Sequence, residues 1–141
     1  MKKVDVRTEG ARYEIQVGHG ILEQVGAACA ALGLGRRVAL ITDETIGGFY
    51  LEPVSSSLSA AGFEVLKVLA PGGEGSKNLS GIEGVFSQLI EAGLDRGAWV
   101  LALGGGILGD MAGRVAATYL RGVPFVQVPT TIVAQVDSSI G

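Results

Sequence analysis

Ala98-Trp99-Val100-Leu101-Ala102-Leu103-Gly104-Gly105-Gly106-Ile107-Leu108-Gly109-Asp110 is the stretch that decides how this chain folds. An apolar run of strand length passes straight into three glycines and then into a segment lined by Gly109, Ala112, Gly113, Ala116 and Ala117. A strand that turns through bare backbone into a helix brings unshielded N–H groups and the positive end of the helix dipole to one point. That arrangement suits a phosphate or pyrophosphate. The small residues that follow allow close backbone approach, either to a sheet or to a ligand.

Outward from this turn, strand and helix patterns alternate. Val4 to Arg7 and Tyr13 to Val17 alternate in polarity around Thr8-Glu9-Gly10-Ala11 and read as an antiparallel hairpin. Leu22, Val25, Cys29 and Leu32 follow at helical spacing, with Gly33 as a stop. Arg37 to Asp43 is a short apolar run of the kind buried on both faces. A helix is expected after Pro53, carrying Val54, Leu58 and Ala61 inward, and a strand over Phe63 to Leu69. Past the Gly-rich loop Pro71 to Lys77, residues Ile82, Val85, Phe86, Leu89 and Ile90 keep the 3.6 period up to Gly93. Phe125 to Val128 forms the last clear strand, before Pro129-Thr130-Thr131.

This order predicts a Rossmann-like α/β fold: a mostly parallel sheet with helices on both faces and an N-terminal β-hairpin. Ligands of such sheets sit beyond the carboxyl ends of the strands. Asp43, the Glu74 to Lys77 loop, Gly104 to Asp110 and Thr130-Thr131 all follow expected strand ends. The spacing Gly104-x-Gly106-x-x-Gly109 matches the dinucleotide fingerprint, but on a late strand, and the strand after it ends in Pro-Thr-Thr without the acidic residue expected about 20 positions on. The standard fingerprint reading is therefore disfavoured, although the physics of an anion on a glycine turn is unchanged.

Each residue also carries a plainer reading. The glycines would serve tight packing alone. Asp43 and Thr130-Thr131 sit where helix caps belong as readily as ligand contacts. Glu74 and Lys77 would form a solvated charge pair, and Arg121 would meet a helix dipole. His19 and Cys29 have no companions for a metal or nucleophilic site.

The composition sets outer bounds. With 48% hydrophobic and 18% charged residues, 141 residues suffice for one compact domain. A net charge of -3 without a basic run argues against nucleic acid as the natural partner. One cysteine rules out an internal disulfide, and Met1-Lys2-Lys3-Val4-Asp5 lacks the apolar core of a signal peptide, so a cytoplasmic location and no membrane partner are expected.

Four ordered blocks resemble the 3-dehydroquinate synthase family, within the sugar phosphate cyclase superfamily. They are Gly104 to Gly113, Ala116-Ala117-Thr118-Tyr119-Leu120-Arg121-Gly122, Gln127-Val128-Pro129-Thr130-Thr131 and Ala134-Gln135-Val136-Asp137-Ser138-Ser139-Ile140-Gly141. Thr42-Asp43 and Gly73-Glu74-x-x-Lys77 support the likeness further back. The resemblance implies a nucleotide-binding domain over residues 1–141, with NAD held by Asp43, Glu74, Lys77, Gly104, Gly105, Gly106, Gly109, Asp110, Thr130 and Thr131. It implies catalytic roles for Asp137, at the junction of nicotinamide and substrate, and for Arg121, which reaches the substrate phosphate across a homodimer interface. The activity it implies is phosphate elimination and ring closure of 3-deoxy-D-arabino-heptulosonate 7-phosphate to 3-dehydroquinate, a step of the shikimate pathway. A transient hydride loan to NAD acidifies the C–H next to the leaving group, and a divalent metal, zinc or cobalt, acts as Lewis acid.

The likeness also implies that a helical half with the metal ligands is missing from these 141 residues, which alone would bind NAD weakly and not turn over. Gly75 and Arg114 depart from the family's usual polar and aromatic residues at their positions. Other sugar phosphate cyclases, a glycerol-dehydrogenase-like NAD and metal enzyme, and a non-catalytic nucleotide-binding module are the alternatives.

Overall fold

The computed structural model describes residues 1–70 and 79–138, leaving out the side chains of Leu79, Ser80 and Ser138. Strands β1 (Lys2–Arg7) and β2 (Arg12–Val17) form the hairpin, with Val4 level with Ile15 and Val6 with Tyr13. Its apolar side chains therefore share one face and its charges, Lys2 apart, the other, where Lys3–Glu14 (3.2 Å) and Arg12–Asp5 (2.9 Å) pair. Exposed pairs of this kind contribute little to stability.

The remaining elements are α1 (Val25–Ala30), β3 (Arg37–Asp43), α2 (Glu44–Ala60), β4 (Glu64–Ala70), α3 (Leu79–Glu91), β5 (Trp99–Gly104), α4 (Gly106–Thr118) and β6 (Phe125–Pro129). The second sheet is four-stranded and parallel throughout, in the order β4-β3-β5-β6. The chain moves outward from β3 to β4, then crosses back over β3 to β5. The strand order thus reverses between β3 and β5, and this is where a doubly wound sheet opens a crevice at its carboxyl edge.

Because side chains alternate along a strand, β3 and β5 feed two separate cores. Ala39, Ile41, Val100 and Ala102 pack with Val85, Leu89, Leu108, Met111, Ala112 and Val115 from α3 and α4. Val38, Leu40, Trp99, Leu101 and Leu103 pack with Cys29, Val54 and Leu58 from α1 and α2. The helices cover both faces, as the pattern predicted.

Three local expectations are corrected. α2 starts at Glu44, a full two turns before Pro53, which lies inside the helix. Gly47, Gly48 and Pro53 hide the helical signal. The structure overrides it because Asp43 caps the first turn and Val54 and Leu58 bury against the sheet, outweighing an interior proline's cost of about 3 kcal/mol. The first helical segment is split into a 3-10 turn, Ile21–Gln24, and the short α1, which leaves Leu32 exposed beyond it. Ile90 keeps the helical period of α3 but points outward, 66% exposed.

α1 crosses α2 at Gly26, where the Ser57 hydroxyl accepts from Gly26 N (2.9 Å) and donates to Glu23 O (2.7 Å). A Cβ on Gly26 would run into the Ser57 carbonyl. Gly26→Ala is therefore expected to lower unfolding free energy by about 3 kcal/mol in urea titrations, and Ser57→Ala by about 1–2 kcal/mol.

Cys29 lies in the same core, and burial pushes its thiol pKa up to about 11 from 9.0. The folded state favours the neutral thiol, so its contribution is fully present below about pH 9 and is lost as pH rises toward 11. The stability gap between the wild type and Cys29→Ala should accordingly be constant up to pH 9 and shrink above it. A gap that does not change between pH 8 and 11 would contradict this assignment.

Candidate nucleotide-binding site

The carboxyl edge of the parallel sheet gathers the residues singled out in the sequence. β3 ends in Asp43, β5 in Gly104 and β6 in Pro129. β3 and β5 pair in register from Val38 beside Trp99 to Ile41 beside Ala102, and Asp43 and Gly104 each lie two residues beyond that last pair. On the other flank Gly104 is level with Pro129, and Thr130 N donates to Gly104 O at 3.0 Å. Asp43, the glycine turn and Thr130 therefore all lie at the carboxyl ends of three adjacent strands.

The two helices that open on this edge differ in how their first turns are satisfied. Asp43 Oδ1 accepts from Ile46 N at 2.8 Å, so α2 is closed by its own cap. α4 begins after Gly105, and no side chain caps it. Its first helical bond is Gly109 N to Gly105 O at 3.0 Å, so the N–H groups of Gly106, Ile107 and Leu108 precede the helical ladder. An uncapped helix of 13 residues at the crevice is the stronger anion site of the two.

The glycines divide into different duties. A Cβ on Gly104 would collide with the Leu108 side chain of the same turn, so this glycine lets the strand fold back over its own helix. A Cβ on Gly105 would lie 3.3 Å from Thr131 Cγ2, which places Thr131 against the opening of α4. Gly109 faces β6 instead: its Cβ would meet Gln127 Oε1 at 3.2 Å, and that of Gly113 the Phe125 ring at 3.3 Å. The small face of α4 is thus turned to the sheet, and Gly109 and Gly113 serve helix–strand packing there.

Thr130 and Thr131 also separate. Thr131 Oγ1 accepts from Ala134 N at 3.2 Å and its carbonyl accepts from Gln135 N at 2.9 Å, so it caps the turn that follows. Thr130 Oγ1 is buried with no hydrogen-bond partner. Among the described residues the only other buried side-chain oxygen or nitrogen in that condition is the Thr42 hydroxyl, at the end of β3. An unpaired buried hydroxyl costs free energy until a partner arrives. Thr42 was not among the residues read as a site; the signal was a single hydroxyl closing the apolar run Val38 to Ile41.

Asp137 is exposed within a π-type turn, Ala134–Ser138, which packs on α4 with Ala134 buried. It is therefore on the glycine-turn side of the sheet. Asp110 lies on the first turns of α4, exposed and already engaged in an interaction. Glu74 and Lys77 lie outside the described residues.

Arg121 does not join this group. It follows α4 at its far end, about 20 Å along the helix axis from Gly105. There Leu120 and Arg121 both adopt left-handed backbone (φ 46 and 70), and Gly122 follows at φ 108. The turn is held by Tyr119, whose buried hydroxyl donates to Leu94 O at 2.6 Å, and by Val123 N donating to Ala116 O at 2.8 Å. Within one chain the Arg121 backbone therefore lies beyond the opposite end of α4 from the crevice.

No group of three His, Cys, Asp or Glu side chains able to hold a metal ion occurs among the described residues, and no helix there is long and apolar enough to cross a membrane.

Comparison with known proteins agrees with this architecture. The chain is 50% identical over all its 141 residues to the 3-dehydroquinate synthase of Geotalea uraniireducens, and spans 39% of that relative's length. Among solved structures, a 2-deoxy-scyllo-inosose synthase complexed with carbaglucose-6-phosphate, NAD+ and Co2+ superposes with a TM-score of 0.85 at 23% identity, over 99% of this chain and 38% of that one. ValA, the 2-epi-5-epi-valiolone synthase of Streptomyces hygroscopicus with NAD+ and Zn2+ bound, gives 0.79 at 29% identity, over 98% and 38%. Residues 67–141, more than half of the chain, match the family described as 3-dehydroquinate synthase N-terminal. The chain therefore belongs to the 3-dehydroquinate synthase family and corresponds to its N-terminal region.

Proposed function

We propose that this chain is the NAD-binding part of a 3-dehydroquinate synthase. The observation that carries the reading is the uncapped N-terminus of α4 beside the unpartnered, buried Thr130 hydroxyl. Both are ready for a pyrophosphate-bearing ligand, which offers oxygens to the free amides and a partner to the hydroxyl. Gly104, Gly105 and Gly106 form the floor, Thr131 stands at the mouth, and Asp43 lies on the flank where a ribose would fall. Asp110, Glu74 and Lys77 enter on the family resemblance, and Gly109 supports the floor from the sheet side.

NAD, when bound there, supplies a temporary hydride acceptor. The chain's own residues bind and orient it, and they shield one side of the crevice from water. Asp137 hydrogen-bonds where the nicotinamide meets the substrate, a sugar acid phosphate. Arg121, too far away in its own chain, serves a second copy across a homodimer, where its fork binds the substrate phosphate bidentately. The described residues do not fit a catalytic metal, so zinc or cobalt belongs to the part of the relatives that lies outside the matched segment. A cytoplasmic location and the absence of membrane or nucleic-acid partners complete the reading, the last supported by the net charge of -3 and the lack of basic runs.

Two measurements test it. The 141-residue chain should bind NADH in a fluorescence titration, weakly, and should form no dehydroquinate; appreciable turnover by the purified chain would overturn the view that it is one wall of the active site. Gly105→Asp should separate binding from folding. Gly105 has extended backbone (φ -81, ψ -170) that any residue adopts, and an aspartate there would provide the cap α4 lacks. The melting temperature should hold or rise, whereas NADH affinity should fall at least about tenfold because a carboxylate occupies the anion site. Unchanged NADH binding by this variant would remove the glycine turn from the site.

A further inference from the structure

Three consecutive residues after α4 have positive φ: Leu120 (46), Arg121 (70) and Gly122 (108). Glycine takes such backbone freely, whereas a Cβ there crowds the following carbonyl, and leucine has no polar group to bond locally in compensation. A strained pair of this kind persists only where its surroundings over-determine it, and such pairs gather at sites where a side chain has to be aimed. The side chain at the centre of this turn is Arg121, exposed and in none of the ion pairs found among the described residues.

Two bonds close the turn on its own helix, Gly122 N to Tyr119 O at 2.9 Å and Val123 N to Ala116 O at 2.8 Å. Tyr119 ties it to a different part of the fold. Its hydroxyl donates to Leu94 O at 2.6 Å, and its ring stacks on Phe86 of α3 with centroids 6.1 Å apart. The segment that receives this bond is itself anchored: Arg37, the first residue of β3, donates from Nη1 to Gly93 O (2.9 Å) and from Nη2 to Ala92 O (2.8 Å). A continuous support therefore runs from β3, through the end of α3, to the residue two before Arg121. A phenylalanine would fill the same space at 119, so what the tyrosine adds is the bond to Leu94.

We propose that Tyr119 is a positioning residue for Arg121: by pinning the start of the left-handed turn to Leu94, its hydroxyl holds the guanidinium in the one direction in which its fork meets the substrate phosphate. This rests on the reading given above, in which Arg121 serves the crevice of a second copy, and adds the residue that aims it. Released from Leu94, the turn relaxes toward unstrained backbone and the arginine no longer presents both N–H groups to the anion.

The test needs a complete enzyme, obtained by letting residues 1–141 replace the matching 39% of the Geotalea uraniireducens synthase. Arg121→Ala should raise KM for the sugar acid phosphate by at least about tenfold. Tyr119→Phe should raise it about fivefold, the worth of one hydrogen bond, with kcat within about twofold of the parent. A loss of stability alone would lower the amount of active enzyme, hence kcat, and leave KM where it was. In the Arg121→Ala background Tyr119→Phe should change KM no further, because it acts through the arginine. Asparagine tolerates left-handed backbone, so Leu120→Asn added to Tyr119→Phe should bring KM back to within about twofold of the parent. The proposal is overturned if Tyr119→Phe leaves KM unchanged, or raises it by the same factor with and without Arg121. An Arg121→Ala enzyme with the parent's KM would instead overturn the role given to Arg121, and a parent chimera without turnover the synthase reading itself.

Discussion

Burial of β5 on both faces is the constraint from which the rest of the domain follows. All six residues from Trp99 to Gly104 are buried. A strand of that kind cannot sit at an edge or face water, so helices must cover it on each side and strands must flank it left and right. The crossover from β4 over β3 to β5 satisfies both requirements, and it also creates the reversal of strand order. The crevice is a geometric result of covering β5.

At the end of that strand the chain has to leave a crowded position. Gly104 folds back under Leu108, Gly105 passes Thr131, and α4 then lies flat on β6 because Gly109 and Gly113 have no side chain to hold it away from Gln127 and Phe125. The same small residues that permit the packing leave α4 without a capping side chain. Close packing and an open helix terminus therefore come from one local choice. α2 shows the opposite solution at the neighbouring strand, where Asp43 fills its own helix terminus and keeps its charge at the crevice.

Much of this was legible in the sequence. The hairpin, β3, β5, α3 and the glycine turn follow from alternation, from apolar runs and from the 3.6 period, since each signal is local. α2 was half hidden. Gly47, Gly48 and Pro53 lower its intrinsic helicity, and the cap and the burial of Val54 and Leu58 that restore it come from contacts with other elements. The duty of Gly109 had no local signal at all, because it is decided by the residue of β6 that faces it.

Asp43 and Arg121 mark the same limit from two sides. On sequence, Asp43 was a cap or a ribose ligand, and the acidic partner of the glycine turn was missing; on sequence, Arg121 stood close to Thr130 and Asp137. The fold reverses both relations, setting Asp43 at the same carboxyl edge as Gly104 and Arg121 beyond the far end of α4. The sequence by itself determined most of the elements and the family resemblance, because propensity, periodicity and glycine chemistry act over a few residues. Tertiary structure alone decided which strand ends stand together, because strand order and register depend on pairings between segments far apart in the chain.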